Sequence, residues 1–231
     1  MREPLVFLPG MMCDVRLFAP QIAAFSLDRS VMFVPLKGEA TIAGLARRVL
    51  EQSPPRFALA GLSMGGIVAM EVIRQAPDRV QRLALMDTNP FADPPEMVTV
   101  RALQADRVRN GELRAVMRDE MKPKYLANGS EKGRILGLCM DMAEELGSDV
   151  FRDQSHAIRH RPDQCGTLRE IAVPSLVLCG EEDRLCPVER HELMHDLITG
   201  SRLAIIAGAG HMPTLEQPEK TNEELRHWLR M

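Results

Sequence analysis

The run FALAGLSMGGIVAMEVI, residues 57–73, changes character at its middle. Phe57 to Leu62 is short and apolar, without in/out alternation, as in a strand buried on both faces of a parallel sheet. From Met64 the apolar residues follow a helical pattern, MGGIVAMEVIRQA, which stops before Pro77. Between the two lies Gly61-Leu62-Ser63-Met64-Gly65, a G-x-S-x-G pattern with Gly66 beyond it. A strand running straight into a helix needs a sharp turn. Flanking glycines leave room for that turn and for close strand–helix packing, and the apex residue is forced outward at the C-terminal edge of the sheet. Short motifs occur by chance. The strand before and the helix after are what single out Ser63 as a nucleophile rather than a packed turn serine.

The same alternation continues on both sides. Residues 4–9, 31–36, 82–87, 174–180 and 202–208 are further short apolar runs. Helical patterns lie between them: TIAGLARRVLEQS with Thr41 as its cap, VERHELMHDLITG with Gly200 as its C-cap, and EKTNEELRHWLR near the end. Repeated strand–helix–strand units predict an α/β fold, a mostly parallel central sheet of about six strands flanked by helices. The alternation breaks at residues 91–165, a Met- and charge-rich stretch that reads as several helices and no strand. We read it as a helical cap inserted between two strands, with residues 1–90 and 166–231 forming the core.

A serine hydroxyl is a poor nucleophile without a base, itself oriented by an acid. The run 174–180 leads into CGEEDRLCP, which places Asp183 beyond a strand end. The last strand leads into IIAGAGHMPTLEQPE, which places His211 in the next such loop, and a histidine titrates near working pH. Ser63, Asp183, His211 is a chain order this arrangement uses. Asp87, closing the run RLALMD, is the alternative acid; its other reading is a cap on the turn into the insertion. The developing oxyanion needs backbone N–H groups. Met64 follows the nucleophile, and Met11, in the loop FLPGMMCD, is placed to give the second.

Taken together, LPGMMCD, GLSMGG, GEEDRLCP and GAGHMPTLEQPE resemble the α/β-hydrolase fold superfamily, in particular its small cofactor-independent serine hydrolases. The resemblance covers nearly all of the chain outside the insertion. It implies Ser63 as nucleophile, His211 as base, Asp183 as acid, Met11 and Met64 as oxyanion donors, and the insertion as a cap over the site. Two features depart from the family pattern. Pro9-Gly10 stands where many members carry His-Gly, and the chain begins at what would be an inner strand, so a sheet of six strands is expected.

The implied chemistry is hydrolysis of a small ester, thioester or lactone through an acyl-enzyme, with no cofactor and no metal. Two alternatives stand beside it: the same triad doing lyase, C–C hydrolase or acyltransferase work, and a non-catalytic small-molecule binder on the same fold. Met12 and Met212 are expected to line an apolar pocket with Met11 and Met64, and Met140 or Met142 could join them. Arg118, Arg152 and Arg159 read as surface charges before carboxylate ligands. His191 and His195 share a helix face at i, i+4 but lack an HExxH pattern, so they read as a packed or solvated pair. Cys13 and Cys186 fall near the expected site and read as packing residues.

Composition excludes other classes. A net charge of -3 without a basic stripe argues against nucleic acid as partner. No apolar run approaches the ~20 residues a membrane span needs, and MREPLVFLPG is cut short by Pro9-Gly10, unlike a secretory leader. Five scattered cysteines without a CxxC fit a reducing, cytoplasmic setting. The oligomeric state is not readable.

Overall fold

The computed structural model describes residues 2–231. Six strands, β1 (Leu5–Leu8), β2 (Val31–Phe33), β3 (Phe57–Leu62), β4 (Val80–Met86), β5 (Ser175–Gly180) and β6 (Arg202–Ile206), form one sheet in the order β2-β1-β3-β4-β5-β6. Every pairing is parallel. The chain therefore starts inside the sheet, moves to one edge, and crosses back past β1 to build the rest. That reversal leaves a crevice at the C-terminal ends of β1 and β3, where open parallel sheets bind their ligands. Ser63 and the loop carrying Met11 sit at those two strand ends.

β1, β3 and β5 are buried along their whole lengths, which explains their unbroken apolar composition. One apolar layer covers each face. The elbow helix, Met64–Gln75, packs on one side with Ile67, Val68 and Val72. Phe7, Phe18, Leu225 and Trp228 fill the other. Two expected elements end early. β2 stops at Phe33 rather than residue 36, because Pro35 has no N–H to extend the ladder. The helix Val188–Leu197 ends where Ile198 turns extended, and Gly200 (φ 75°) serves the turn beyond it rather than the cap. Thr41 does cap its helix, Ile42–Gln52, its hydroxyl accepting from the Gly44 N–H at 3.0 Å.

The stretch between β4 and β5 is made of helices and the loops that join them. Its main members are Pro95–Arg109 and the long Lys132–Arg159, which is broken at Gly147 (φ 80°, ψ 175°). Between them Leu113–Ala115 runs into a π-helical turn, Val116–Met121. A last helix, Cys165–Arg169, straddles the expected boundary at residue 165. The two ends of the insertion meet in a stem. Gln164 N–H donates to Pro90 O at 2.8 Å. Inside the stem Asp93 takes Arg161 on one oxygen (2.7 Å) and Arg101 on the other (2.6 Å), and the side chains of Asp93 and Arg161 are both almost fully buried. No helix among the described residues is long and apolar enough to cross a membrane.

Candidate active site

The β3-to-helix junction is as tight as its glycines suggest. A Cβ on Gly61 would lie 2.2 Å from Gly65 O, and one on Gly65 would lie 2.1 Å from Leu8 O. Neither glycine carries the unusual backbone, however. Ser63 itself does, at φ 55°, ψ -114°. A left-handed non-glycine residue costs of order 1–3 kcal/mol and persists only where its surroundings hold it. Here Ser63 N–H donates to Met86 O at 2.8 Å. Ser63 O in turn accepts from Gly66 N–H (2.9 Å) and from the Thr88 hydroxyl (2.7 Å). The hydroxyl of half-buried Ser63 thus stands clear of the turn.

Ser63 Oγ–H donates to His211 Nε2 at 2.9 Å, and His211 Nδ1–H donates to Asp183 Oδ2 at 2.8 Å. The other Asp183 oxygen accepts from Leu185 N–H (2.8 Å) and Cys186 N–H (3.0 Å). Burial alone would raise this carboxyl's pKa, but His211 and the two N–H groups outweigh it and hold it below the usual range. Asp183 is thus ionised wherever His211 is useful as a base. Three strand ends supply the three groups, as the chain order suggested.

Asp87 does not join that line. It is fully buried, at φ 44°, and Oδ1 accepts the Gly180 N–H at 2.9 Å while Oδ2 has no partner. Burial and then the nearby Asp183 charge push its carboxyl pKa well up, which disfavours the charged form that an orienting acid needs.

The backbone N–H groups of Met11 and Met64 have no hydrogen-bond partner among the described residues. The neighbouring Met12 (φ 56°) is different, because its N–H is taken by Gln154 Oε1 at 2.9 Å. Met12 and Met212 are both fully buried, Met12 in the apolar layer with Met11 and Met64, Met212 in the layer with Tyr125 and Met142.

Several residues that shape this region were not singled out by the sequence. Gln154, on the long insertion helix and only 2% exposed, also donates from Nε2 to Leu36 O at 2.7 Å. It therefore ties the insertion to the loop after β1. Asp14 N–H, in the same loop, reaches Met142 Sδ at 3.4 Å. A second tie runs to the histidine loop. His211 N–H donates to Tyr125 O at 2.6 Å. Glu216 accepts from Gly210 and Met212 N–H on one oxygen (both 3.0 Å) and from Ala127 N–H on the other (2.8 Å). Glu216 stands in the GAGHMPTLE motif, but what it holds is visible only in three dimensions.

His191 is buried with both ring nitrogens engaged: Nδ1–H donates to Pro187 O (3.2 Å) and Nε2 accepts Thr88 N–H (3.1 Å). Burial pushes its pKa down to about 4. His195 turns instead to Ser201 Oγ (2.8 Å), so the i, i+4 pair does not converge on a common point. Burial, then the Asp183 charge, raise the Cys186 thiol well above its usual pKa, which leaves it a packing group beside the acid. Arg118 pairs with Asp119 and Arg152 with Asp149 at the surface. Arg152 and Arg159 line a cleft of about 570 Å³ with Ala102 and His156, none of which belongs to the Ser63 line.

Comparison with known proteins agrees with this architecture. The model of the Alpha/beta hydrolase family matches residues 5–224. A pimeloyl-[acyl-carrier protein] methyl ester esterase of Klebsiella pneumoniae is 29% identical over 203 residues, 81% of this chain and 75% of that one. A thermophilic esterase from Thermogutta terrifontis, solved with malate bound, superposes with a TM-score of 0.90 at 28% identity, covering 99% of this chain and 89% of that one. An enol-lactonase from Burkholderia xenovorans shares the fold, with a TM-score of 0.88 at 22% identity, covering 100% of this chain and 92% of that one. With its family match spanning the sheet, the elbow, the insertion and the histidine loop, this chain belongs to the alpha/beta hydrolase family.

Proposed function

We propose that the protein is a serine esterase that cleaves a small carboxylic ester through an acyl-enzyme on Ser63. The observation that carries this reading is the continuous hydrogen-bonded line Ser63–His211–Asp183. His211 Nε2 takes the Ser63 proton as Oγ attacks the ester carbonyl. Negative charge gathers on the carbonyl oxygen between the unpartnered N–H groups of Met11 and Met64; one such donor is worth ~3–4 kcal/mol of transition-state stabilisation elsewhere. Asp183 holds the imidazole tautomer and stabilises the imidazolium. His211 then returns its proton to the departing alcohol, and water attacks the acyl-enzyme by the reverse sequence.

The insertion acts in this reading as a cap, with Met12 and Met212 as apolar walls for the acyl group. The esterases among the relatives, one named for a methyl ester, favour a small alcohol leaving group. Thioesters and lactones fit the same line of groups. A labelling experiment tests the assignment. A fluorophosphonate probe should form one adduct, mapped by mass spectrometry to Ser63, and the adduct should vanish in His211→Ala. Labelling at another residue, or none in the folded protein, overturns the reading.

A further inference from the structure

At the opposite end of the sheet, where β1 and β2 begin, the surface holds a cavity of about 480 Å³. Four guanidinium groups line it, from Arg2, Arg29, Arg226 and Arg230, against two carboxylates, Glu3 and Asp28. Both carboxylates are already engaged. Glu3 accepts from Arg82 Nε at 2.6 Å, and Asp28 is paired with Arg2. Arg226 lies over the Phe25 ring, 5.6 Å from its centroid, and neither Arg226 nor Arg230 is in an ion pair among the described residues.

Arg29 is the informative member. Its side chain is only 7% exposed, and its closest approach to a carboxylate is 3.6 Å, from Nε to Asp28. Its Nε and Nη1 are buried and have no hydrogen-bond partner. Burial lowers its pKa, and the nearby Arg2 and Arg82 charges push the same way against the pull of Glu3. Both atoms are sealed from water, so a ligand in the cavity meets Arg29 as a poorly compensated positive charge rather than through those two donors. The surrounding charges make an anionic ligand the favoured one.

We propose that this cavity binds a small phosphate-bearing molecule, with the phosphate held by Arg226 and Arg230 over the buried charge of Arg29. The guanidinium fork matches two phosphate oxygens, and several forks can share one phosphate group. The lining has an excess of two positive charges, which a phosphate dianion balances and a single carboxylate does not. The volume exceeds that of a bare ion, and Phe25 and Leu229 offer apolar surface to the remainder of the molecule. None of Ser63, Asp183 or His211 lines the cavity, so the site stands apart from the ester chemistry.

Calorimetric titration of the intact protein with inorganic pyrophosphate at low salt tests this. One saturable site per chain is expected, with affinity at least tenfold weaker in Arg29→Met and several-fold weaker in Arg230→Ala. Arg118→Ala, whose partner Asp119 lies in the insertion, should bind as the wild type does. Should Arg29→Met fail to fold, the double variant Arg226→Ala/Arg230→Ala decides, since both residues are exposed, Arg226 on the helix Pro218–Trp228 and Arg230 in the turn after it. Absence of saturable binding, or equal affinity in all variants, overturns the site. Malonate binding as tightly as pyrophosphate overturns the phosphate assignment.

Discussion

The sheet edge that carries Ser63 and the helical stretch between β4 and β5 that meets its loops are held by different means. At the edge, position comes from the backbone. Parallel ladders fix β1, β3, β4 and β5 side by side, and their ends deliver Met11, Ser63, Asp87 and Asp183. The insertion has no strand to join. Much of its surface is laced by exposed ion pairs such as Arg114–Glu144 and Arg134–Glu131, each worth little. Apolar packing of residues such as Phe151, Ile158 and Met142 holds it against the core, and a few buried polar contacts set its register: the Asp93 cluster in the stem, Gln154 on the loop after β1, and the backbone of Tyr125 and Ala127 on the histidine loop. Position is thus redundant in one region and rests on packing and a few polar residues in the other. Substitutions in the insertion should therefore reach function without passing through the sheet.

The largest expected effect lies at the edge. Asp183→Asn should lower kcat by roughly 10³- to 10⁴-fold with little change in Tm, because the imidazole loses its orienting acid. Asp87→Asn keeps the acceptor for Gly180 N–H and should change kcat by less than about tenfold. Steady-state kinetics on both variants checks the pair, and a reversed ranking would exchange the two carboxyls' roles. Next comes the stem. Asp93→Ala leaves buried Arg161 without its counter-charge and should cost about 3 kcal/mol. Hydrogen exchange should then rise across residues 91–165 while β3 and β4 keep their protection; uniform loss would mean that the two regions form one cooperative unit. The smallest effect tests the link between them. Gln154→Ala strands Met12 N–H and Leu36 O, at about 1–3 kcal/mol, and should lower kcat about tenfold with KM less affected. Gln154→Glu retains the acceptor for Met12 and should recover part of the loss. Equal damage from both variants would place the effect in folding rather than in the loop.

The sheet and the Ser63–Asp183–His211 line were legible in the sequence because each rests on local patterns. Buried parallel strands read as unbroken apolar runs, and the elbow and the two loops follow strand ends at short range. The preference for Asp183 over Asp87 rests in the sequence on its loop following the last strand but one, next to the histidine loop, whereas the Asp183–His211 hydrogen bond and the burial of Asp87 give the physical reason. What stayed hidden depends on distant partners. Gln154 meets Met12 across 142 positions and Glu216 meets Ala127 across 89. No periodicity marks such a meeting. His191 and His195 read from sequence as packed or solvated rather than metal-binding, and the structure shows why: His191 is buried against Thr88 and Pro187 while His195 turns to Ser201.

The stem has a consequence for how much the insertion can vary. β4 and β5 pair Met86 with Leu178, and everything between them is a closed loop pinched at Pro90 and Gln164. Loop-closure entropy rises only with the logarithm of length, so doubling such a loop costs about 0.6 kcal/mol. Thermodynamics thus places almost no limit on the size of what is threaded through this pinch. Compatibility is set instead by what the sheet side presents: the Met12 N–H, the His211 N–H and the Glu216 carboxylate, together with the apolar layers that Phe151, Ile158 and Met142 of the insertion complete. An unrelated helical segment that answered those polar addresses and filled those layers could replace this one.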